Sequence, residues 1–178
     1  YCVDQLGAMG AVEAATGRPV WIRSWPVPAI GMGGPVMIAN PWQWGLPIPR
    51  GDSVVLMTPE RAEVLRIDRA SGVIQARRSA AALGSPAYIL GVGDRLAAVG
   101  NQAVYFTPMD SFDSGPVVKT RAFGYPIRGR VVVSGDRLLI PRSDGVAVID
   151  PADPTQDAAA LRLDRLGNVL PLESQLLI

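Results

Sequence analysis

Apolar residues in the middle of this chain occur in short runs that are separated by polar or glycine-containing breaks. The runs Val54 to Thr58, Leu96 to Val99 and Leu138 to Ile140 are nearly all apolar, which is typical of inner strands covered on both faces. Runs such as Val117 to Arg121 mix apolar and charged residues, as expected of outer strands whose charges discourage pairing with other chains. The pattern predicts short strands joined by many turns.

The dipeptide Gly-Asp recurs at an even interval, at Gly51-Asp52, Gly93-Asp94 and Gly135-Asp136. Successive copies are 42 residues apart, from 51 to 93 and from 93 to 135, and each leads into an apolar run. Both residues are typical of hairpin turns, because glycine adopts positive φ and aspartate hydrogen-bonds its own backbone. A repeat of this length with a turn at a constant position predicts one four-stranded antiparallel blade of a β-propeller per repeat.

The predicted fold class is therefore all-β, a partial β-propeller of about three complete blades with partial blades at both ends. We expect a single domain over residues 1–178, with blades at about 31–80, 81–122 and 123–165 and partial blades at 1–30 and 166–178. The Ala-rich segments Val3 to Ala15 and Asp157 to Leu166 also suit helices, but their place in the repeat predicts strands. Because a repeat array needs closure or caps at its ends, we expect one piece of a larger propeller.

Composition agrees with a globular, turn-rich protein. The chain has 19 Gly and 16 Pro among 178 residues, is 48% hydrophobic and carries a formal net charge of +1. No run approaches the length of a membrane span, and the small net charge predicts no general attraction to nucleic acid. All basic residues except Lys119 are arginine, which suits the binding of planar anions but also follows from a biased base composition of the genome.

Histidine is absent and Cys2 is the only cysteine. A zinc site built on His or Cys is therefore excluded within this chain, as are the Ser-His-Asp and Cys-His arrangements of nucleophilic catalysis. No internal disulfide can form. We assign no catalytic, cofactor-binding or metal-binding residue.

The segment Gly10-Ala-Val-Glu-Ala-Ala-Thr-Gly17-Arg-Pro-Val-Trp21 resembles the PQQ-type repeat of quinoprotein-like β-propellers. In that repeat a strand ends in an Ala-Leu-Asp-like segment, a Thr-Gly-Lys-like turn follows, and a tryptophan docks adjacent blades. Weaker copies are Val64 to Ile74 and Gly145 to Asp153. The resemblance implies that the structural residues of blade docking are Trp21, Gly17, Gly72, Asp68 and Asp150.

The family that this repeat resembles includes quinone-dependent dehydrogenases and non-catalytic scaffolds, such as the lipoprotein that assists outer-membrane protein assembly. The dehydrogenases are associated with a vicinal cysteine pair, a bound calcium and a catalytic Asp, and one cysteine cannot form that pair. We therefore expect a bacterial, extracytoplasmic, non-catalytic scaffold without cofactor, whose partner is another protein or the remaining blades of the same chain. The alternative is a fragment of a PQQ-dependent dehydrogenase, with PQQ and calcium held by residues outside this segment.

Five residues are candidates for contact with a partner: Trp42, Trp44, Trp25, Arg128 and Arg130. The indole pair of Trp42 and Trp44 lies in a loop bounded by Pro and Gly, and tryptophan is frequent at the centres of protein interfaces. Packing between blades explains these tryptophans equally well. Arg128 and Arg130, together with Arg142, form a basic group that also suits a solvated blade edge.

Overall fold

The computed structural model describes residues 1–3, 8–24, 45–58, 60–156, 159–162, 170–172 and 175–177. It divides into two compact units, Tyr1–Ser85 and Pro86–Ile178, which are taken separately below. The single domain expected over residues 1–178 stays a prediction. No helix in the described ranges is long and apolar enough to cross a bilayer.

The first unit contains two antiparallel sheets whose strands follow chain order. The three-stranded sheet consists of β1 (Cys2–Val3), β2 (Ala8–Val12) and β3 (Pro19–Ser24). The four-stranded sheet consists of β4 (Ile48–Arg50), β5 (Ser53–Met57), β6 (Glu63–Asp68) and β7 (Ile74–Ser79). A short 3₁₀ helix, Ala80–Leu83, follows β7.

The second unit contains two further four-stranded sheets and one two-stranded sheet, again antiparallel and in chain order. The first is formed by β8 (Tyr88–Val92), β9 (Arg95–Val99), β10 (Val104–Pro108) and β11 (Val118–Lys119). The second is formed by β12 (Val132–Ser134), β13 (Arg137–Arg142), β14 (Gly145–Ile149) and β15 (Ala159–Arg162). The last pair is β16 (Leu170–Leu172) and β17 (Gln175–Leu177). The prediction of one four-stranded antiparallel unit per Gly-Asp repeat is confirmed.

Each Gly-Asp dipeptide forms a two-residue hairpin turn. In the third copy Ser134 pairs with Arg137 across the turn, and the φ of Gly135 is +60°. The glycines of the other two copies have φ of +53° and +55°, whereas none of the three aspartates has positive φ. Positive φ at the first central residue alone is the pattern of a type II′ turn, whose twist matches that of the flanking strands.

The fourth strand of the first repeat in the second unit is shorter than its sequence predicts. Val117 to Arg121 is predicted, but β11 covers only Val118–Lys119. The next residue, Thr120, donates its N–H to the Val104 carbonyl, yet the Val104 N–H donates to the Thr120 hydroxyl at 3.1 Å. The side chain thus takes the place of the backbone acceptor, and the regular ladder ends there.

Trp21 joins the two sheets of the first unit. Its ring packs against a buried cluster of Met9, Leu56, Leu65 and Ile67, and its Nε1–H donates to the Arg69 carbonyl at 3.0 Å. On the opposite face of β3, the side chains of Val20 and Ile22 are 56% and 70% exposed. Met9 of β2 is part of the same cluster, and Arg69 Nε donates to the Tyr1 hydroxyl at 2.7 Å, so the contact between the sheets combines Trp21 with these neighbours.

The turn glycines Gly72 and Gly17 provide a matched test of this contact. Both have φ near +70°, so alanine at either position is strained by about 1–2 kcal/mol. A Cβ at Gly72 would lie 2.6 Å from the Trp21 ring, whereas a Cβ at Gly17 would meet nothing within 4 Å. We expect Gly72→Ala to lower the free energy of unfolding by about 1–3 kcal/mol more than Gly17→Ala, as measured by urea denaturation. Equal losses would show that the ring moves aside freely.

A basic cavity beside the segment from Thr120 to Val131

The segment between β11 and β12 is fixed by backbone hydrogen bonds to both neighbouring sheets. The N–H groups of Phe123 and Ile127 donate to the carbonyls of Gln102 and Asn101, at 2.7 and 3.0 Å. The N–H of Arg128 donates to the Pro141 carbonyl at 2.9 Å. These bonds anchor the segment on the loop between β9 and β10 on one side and on β13 on the other. Its own glycines and proline keep it out of strand conformation.

Two apolar side chains of this segment are buried, whereas a tyrosine and two arginines are exposed. Phe123 and Ile127 are 9% and 4% exposed, while the aromatic ring of Tyr125 is 52% exposed. Arg121 and Arg128 are exposed as well. The segment therefore presents cationic and aromatic groups to solvent on a backbone that is held in place.

Arg142, at the end of β13, is largely buried, with 11% of its side chain exposed. Its Nη2 donates to Asp144 Oδ2 at 2.9 Å, and its guanidinium carbon lies 5.7 Å from the centroid of the Phe123 ring. Among the described residues, its Nε and the Asp144 Oδ1 are buried without hydrogen-bond partners. The ring and the carboxylate hold the guanidinium in one place.

A cavity of about 150 Å³ lies beside Arg142. Its lining combines apolar groups, two arginines and two neutral polar side chains. The lining residues are Thr120, Arg121, Ala122, Phe123, Gly124, Arg142, Ile149 and Gln156. None of these side chains is acidic. The Thr120 hydroxyl already accepts the Val104 N–H, and Gln156 Nε2 donates to Asp153 Oδ2 at 2.6 Å. The arginines are thus the charged groups of the cavity.

Charges are segregated along this part of the chain. Residues 119–142 contain six basic residues, Lys119, Arg121, Arg128, Arg130, Arg137 and Arg142, and one acidic residue, Asp136. Residues 143–157 contain four acidic residues and no basic one. Because the whole chain carries only +1, the segment around the cavity is locally much more basic than the average, which favours anionic ligands there.

Arg130 has a structural contact on the inner side of the same segment. Its guanidinium carbon lies 5.6 Å from the centroid of the Tyr88 ring. The Tyr88 hydroxyl is buried and accepts the N–H of Val131 at 2.8 Å. Burial raises the pKa of Tyr88 to about 12, although the Val131 hydrogen bond and the Arg130 charge act in the opposite direction. Tyr88 thus ties the start of the β12 sheet to the sheet before it.

The structure describes two of the five predicted interaction residues, Arg128 and Arg130. Arg128 is exposed and Arg130 is half-buried against Tyr88, and neither lines the cavity. Trp25, Trp42 and Trp44 lie outside the described residues. Their proposed contact with a partner stays a prediction.

Of the residues predicted to be structural, Trp21 lies in β3, Asp68 ends β6, and Gly17, Gly72 and Asp150 lie at or next to turns. Asp68 Oδ1 accepts hydrogen bonds from the Ser71 hydroxyl and from the N–H groups of Ser71 and Ala70, at 2.6, 2.8 and 3.1 Å. The Ser71 bonds above all lower the pKa of Asp68. Asp150 Oδ1 accepts the N–H of Ala152 at 2.8 Å, and the Gly17 N–H donates to the Glu13 carbonyl at 2.8 Å.

Sequence reasoning did not find the cavity. From the sequence, Arg121 is an edge charge of the predicted strand Val117 to Arg121, and no pattern marks Phe123. The local excess of basic residues in 119–142 was a usable signal, but the pairing of Arg142 with Phe123 joins residues that are 19 positions apart. Among the described residues, no group of three or more His, Cys, Asp or Glu side chains could hold a metal ion.

Comparison with known proteins identifies the fold. No protein-family model matches the chain, and no curated protein does. The chain is similar to the crystal structure of BamB from Moraxella catarrhalis, with a TM-score of 0.60 and 16% sequence identity over 96% of this chain. It spans 48% of that BamB chain, or about half its length. The predicted fold class is confirmed: the four-stranded sheets are blades of a β-propeller.

A second, more remote similarity is to a chain in a structure of S. cerevisiae Dbp5 bound to Nup159, Gle1, IP6 and ADP. The TM-score is 0.45 and the identity 11%, over 61% of this chain and 30% of that one.

The raised pKa of Tyr88 predicts a loss of stability at high pH. An ordinary tyrosine loses its proton near pH 10, whereas Tyr88 in the folded protein keeps it until about pH 12. Between these values the unfolded chain releases a proton that the folded chain retains, so rising pH favours unfolding. We expect the contribution of Tyr88, fully present below pH 10, to fall by about 2 kcal/mol by pH 12.

The variant Tyr88→Phe isolates this effect. At neutral pH it leaves the buried Val131 N–H without its acceptor, which costs about 1–3 kcal/mol. Its unfolding free energy, measured by urea denaturation at each pH, should decline less steeply than that of the parent protein between pH 10 and 12. An identical decline in both proteins would contradict the assignment.

Proposed function

We propose that this chain is part of a quinoprotein-like β-propeller that acts without catalysis as a scaffold for binding other proteins. The observation that carries the proposal is the exposed set of Arg121, Tyr125 and Arg128 on a segment that hydrogen bonds hold rigidly between two blades. Arginine and tyrosine are enriched at protein interfaces. A rigid backbone reduces the entropy lost on binding, because little has to be ordered.

The relation to quinoproteins is supported by the repeat motif and by the contacts that its residues make. Trp21, the last residue of the motif in Gly10 to Trp21, packs on the turn of the following blade and would collide with any side chain at Gly72. The similarity to BamB supports the same relation at the level of the fold. A location outside the cytoplasm, in a bacterium, is proposed on that similarity alone.

The alternative, a fragment of a PQQ-dependent dehydrogenase, has less support from the described residues. Sites for small molecules and cofactors typically measure about 300–1,000 Å³, and the cavity beside Arg142 measures about 150 Å³. The described residues therefore supply no cavity of cofactor size at this position.

Photo-crosslinking in cells tests the scaffold proposal. The crosslinkable residue p-benzoylphenylalanine replaces Tyr125 in one variant and Val73 in the other, because these side chains are similarly exposed, at 52% and 48%. We expect irradiation to produce one discrete protein adduct from position 125 and none from position 73, as detected by immunoblotting and identified by mass spectrometry. Equal or diffuse labelling from both positions would refute a specific interface on this segment.

Addition of cofactor tests the alternative directly. The full-length protein is incubated with PQQ and Ca²⁺ and passed through a desalting column. We expect no quinone absorbance to remain with the protein and no dye reduction with alcohols or sugars. Retained absorbance together with dye reduction would replace the scaffold by the dehydrogenase.

A further inference from the structure

We propose that the hairpin of β2 and β3 forms a docking site for a tryptophan side chain of a partner protein. The site consists of the turn from Glu13 to Arg18 and of exposed apolar side chains beside it. It belongs to the first unit, whereas the segment from Thr120 to Val131 belongs to the second. The proposal therefore goes beyond the interface proposed above and does not depend on it.

Two hairpins of the first unit have the same structure at positions that are 55 residues apart, from 13 to 68 and from 17 to 72. The hairpin of β2 and β3 and that of β6 and β7 each contain one register shift, at corresponding positions. In the turns, the N–H of Gly17 donates to the Glu13 carbonyl at 2.8 Å, and that of Gly72 donates to the Asp68 carbonyl at 2.9 Å. The hydroxyl of the residue before each glycine donates to the carboxylate of the same acidic residue, at 2.6 Å in both turns.

The second of these turns binds an indole ring. Trp21 lies against Gly72, where an added Cβ would be 2.6 Å from the ring, and its Nε1–H donates to the Arg69 carbonyl at 3.0 Å. The corresponding positions of the first turn are Gly17 and Ala14. Gly17 is exposed, and among the described residues a Cβ at this position would meet nothing within 4 Å. The first turn therefore has the backbone of an indole site on an exposed surface.

Apolar side chains extend this surface beyond the turn. The cluster on which Trp21 packs includes Ile67, and the residue at the corresponding position of the first hairpin is Val12, which is 44% exposed. Ile22 lies on the same face of the sheet as Val12 by the register of β2 and β3. With its neighbour Val20, Ile22 gives β3 two apolar side chains that are 70% and 56% exposed.

The composition of β3 indicates that another protein covers this face. β7 has Gln75 and Arg77 at the positions that Val20 and Ile22 occupy in β3. The hairpin itself therefore forms equally well with polar side chains at these two positions. Exposed apolar side chains that the local structure does not require are typical of an interaction surface.

The partner chemistry that matches the surface is an indole on an extended segment. In the contact made by Trp21, the ring fills apolar space while its N–H satisfies a turn carbonyl. A partner's indole on Gly17 would donate to the Ala14 carbonyl and contact Val12 and Ile22. It would continue the interface between the sheets of the first unit on the other face of the hairpin. Tryptophan suits this position because it supplies much of the binding energy at interfaces.

Nuclear magnetic resonance on ¹⁵N-labelled protein tests the site with three peptides. The first is acetyl-Pro-Val-Trp-Ile-Arg-Ser-amide, which has the sequence of β3. The second has alanine in place of the tryptophan, and the third has 3-benzothienylalanine, whose ring has the shape of indole but no N–H. We expect the tryptophan peptide to cause saturable shifts of the backbone amides of residues 13–18 and of Ile22. The alanine peptide should cause none, and the benzothienyl peptide should bind about fivefold more weakly.

Variants of the protein separate the turn from general effects on stability. Gly17 and Gly51 both have positive φ, +70° and +53°, and a Cβ at either meets nothing within 4 Å among the described residues. Gly17→Ala and Gly51→Ala thus introduce similar backbone strain, but only the first lies in the site. We expect Gly17→Ala to weaken binding about tenfold and Gly51→Ala to leave it unchanged. Ile22→Gln, at an exposed position, should weaken binding about threefold.

Each outcome decides the proposal. Absence of saturable shifts, equal binding of the alanine peptide, or equal effects of Gly17→Ala and Gly51→Ala would overturn the site. Shifts of the Gly17 amide when the protein alone is concentrated would assign the surface to a second copy of the chain. Nuclear Overhauser contacts between Gly17 Hα and an indole ring in the dilute protein alone would assign it to a tryptophan of the same polypeptide. Either result would overturn the partner. Crosslinking from position 125 tests the other interface, so either proposal can fail while the other stands.

Discussion

The inner strands of this protein carry apolar side chains on both faces, and the rest of the structure follows from the need to cover both. In β5, Val54, Val55 and Leu56 are 1%, 0% and 3% exposed although they alternate in direction. A sheet of this kind is stable only if something packs on each side of it. A propeller meets this requirement by placing one blade against the next, and the connections between blades then have to cross from the outer strand of one to the inner strand of another.

Aromatic side chains make specific contacts between neighbouring sheets. In the first unit Trp21 covers the cluster around Leu56 and Leu65 and reaches the turn at Gly72, where only glycine leaves room for the ring. In the second unit the Tyr88 hydroxyl accepts the Val131 N–H at the start of the next sheet. Both contacts use an aromatic ring with a polar end, which fills apolar space and satisfies a backbone group at the same time.

The same geometry creates the cavity. The segment from Thr120 to Val131 has to pass between blades, and it is anchored by Phe123 and Ile127 rather than by a strand ladder. Such a segment places polar side chains on a fixed backbone, which is the usual arrangement of binding residues in rigid scaffolds. Arg142 lies beneath it because β13 extends to the loop at which Asp144 accepts its hydrogen bond.

Sequence by itself determined the repeat and the connectivity of its strands. The Gly-Asp dipeptides and the apolar runs that follow them are local signals, because a type II′ turn and a doubly covered strand each impose a composition on a few adjacent residues. The length of β11 and the partners of Arg121, Phe123 and Arg142 were decided only by the tertiary structure. Those features depend on groups brought together from different parts of the chain, such as the Thr120 hydroxyl and the Val104 N–H. A pattern of neighbouring residues does not encode such a contact, because only the fold makes these positions adjacent.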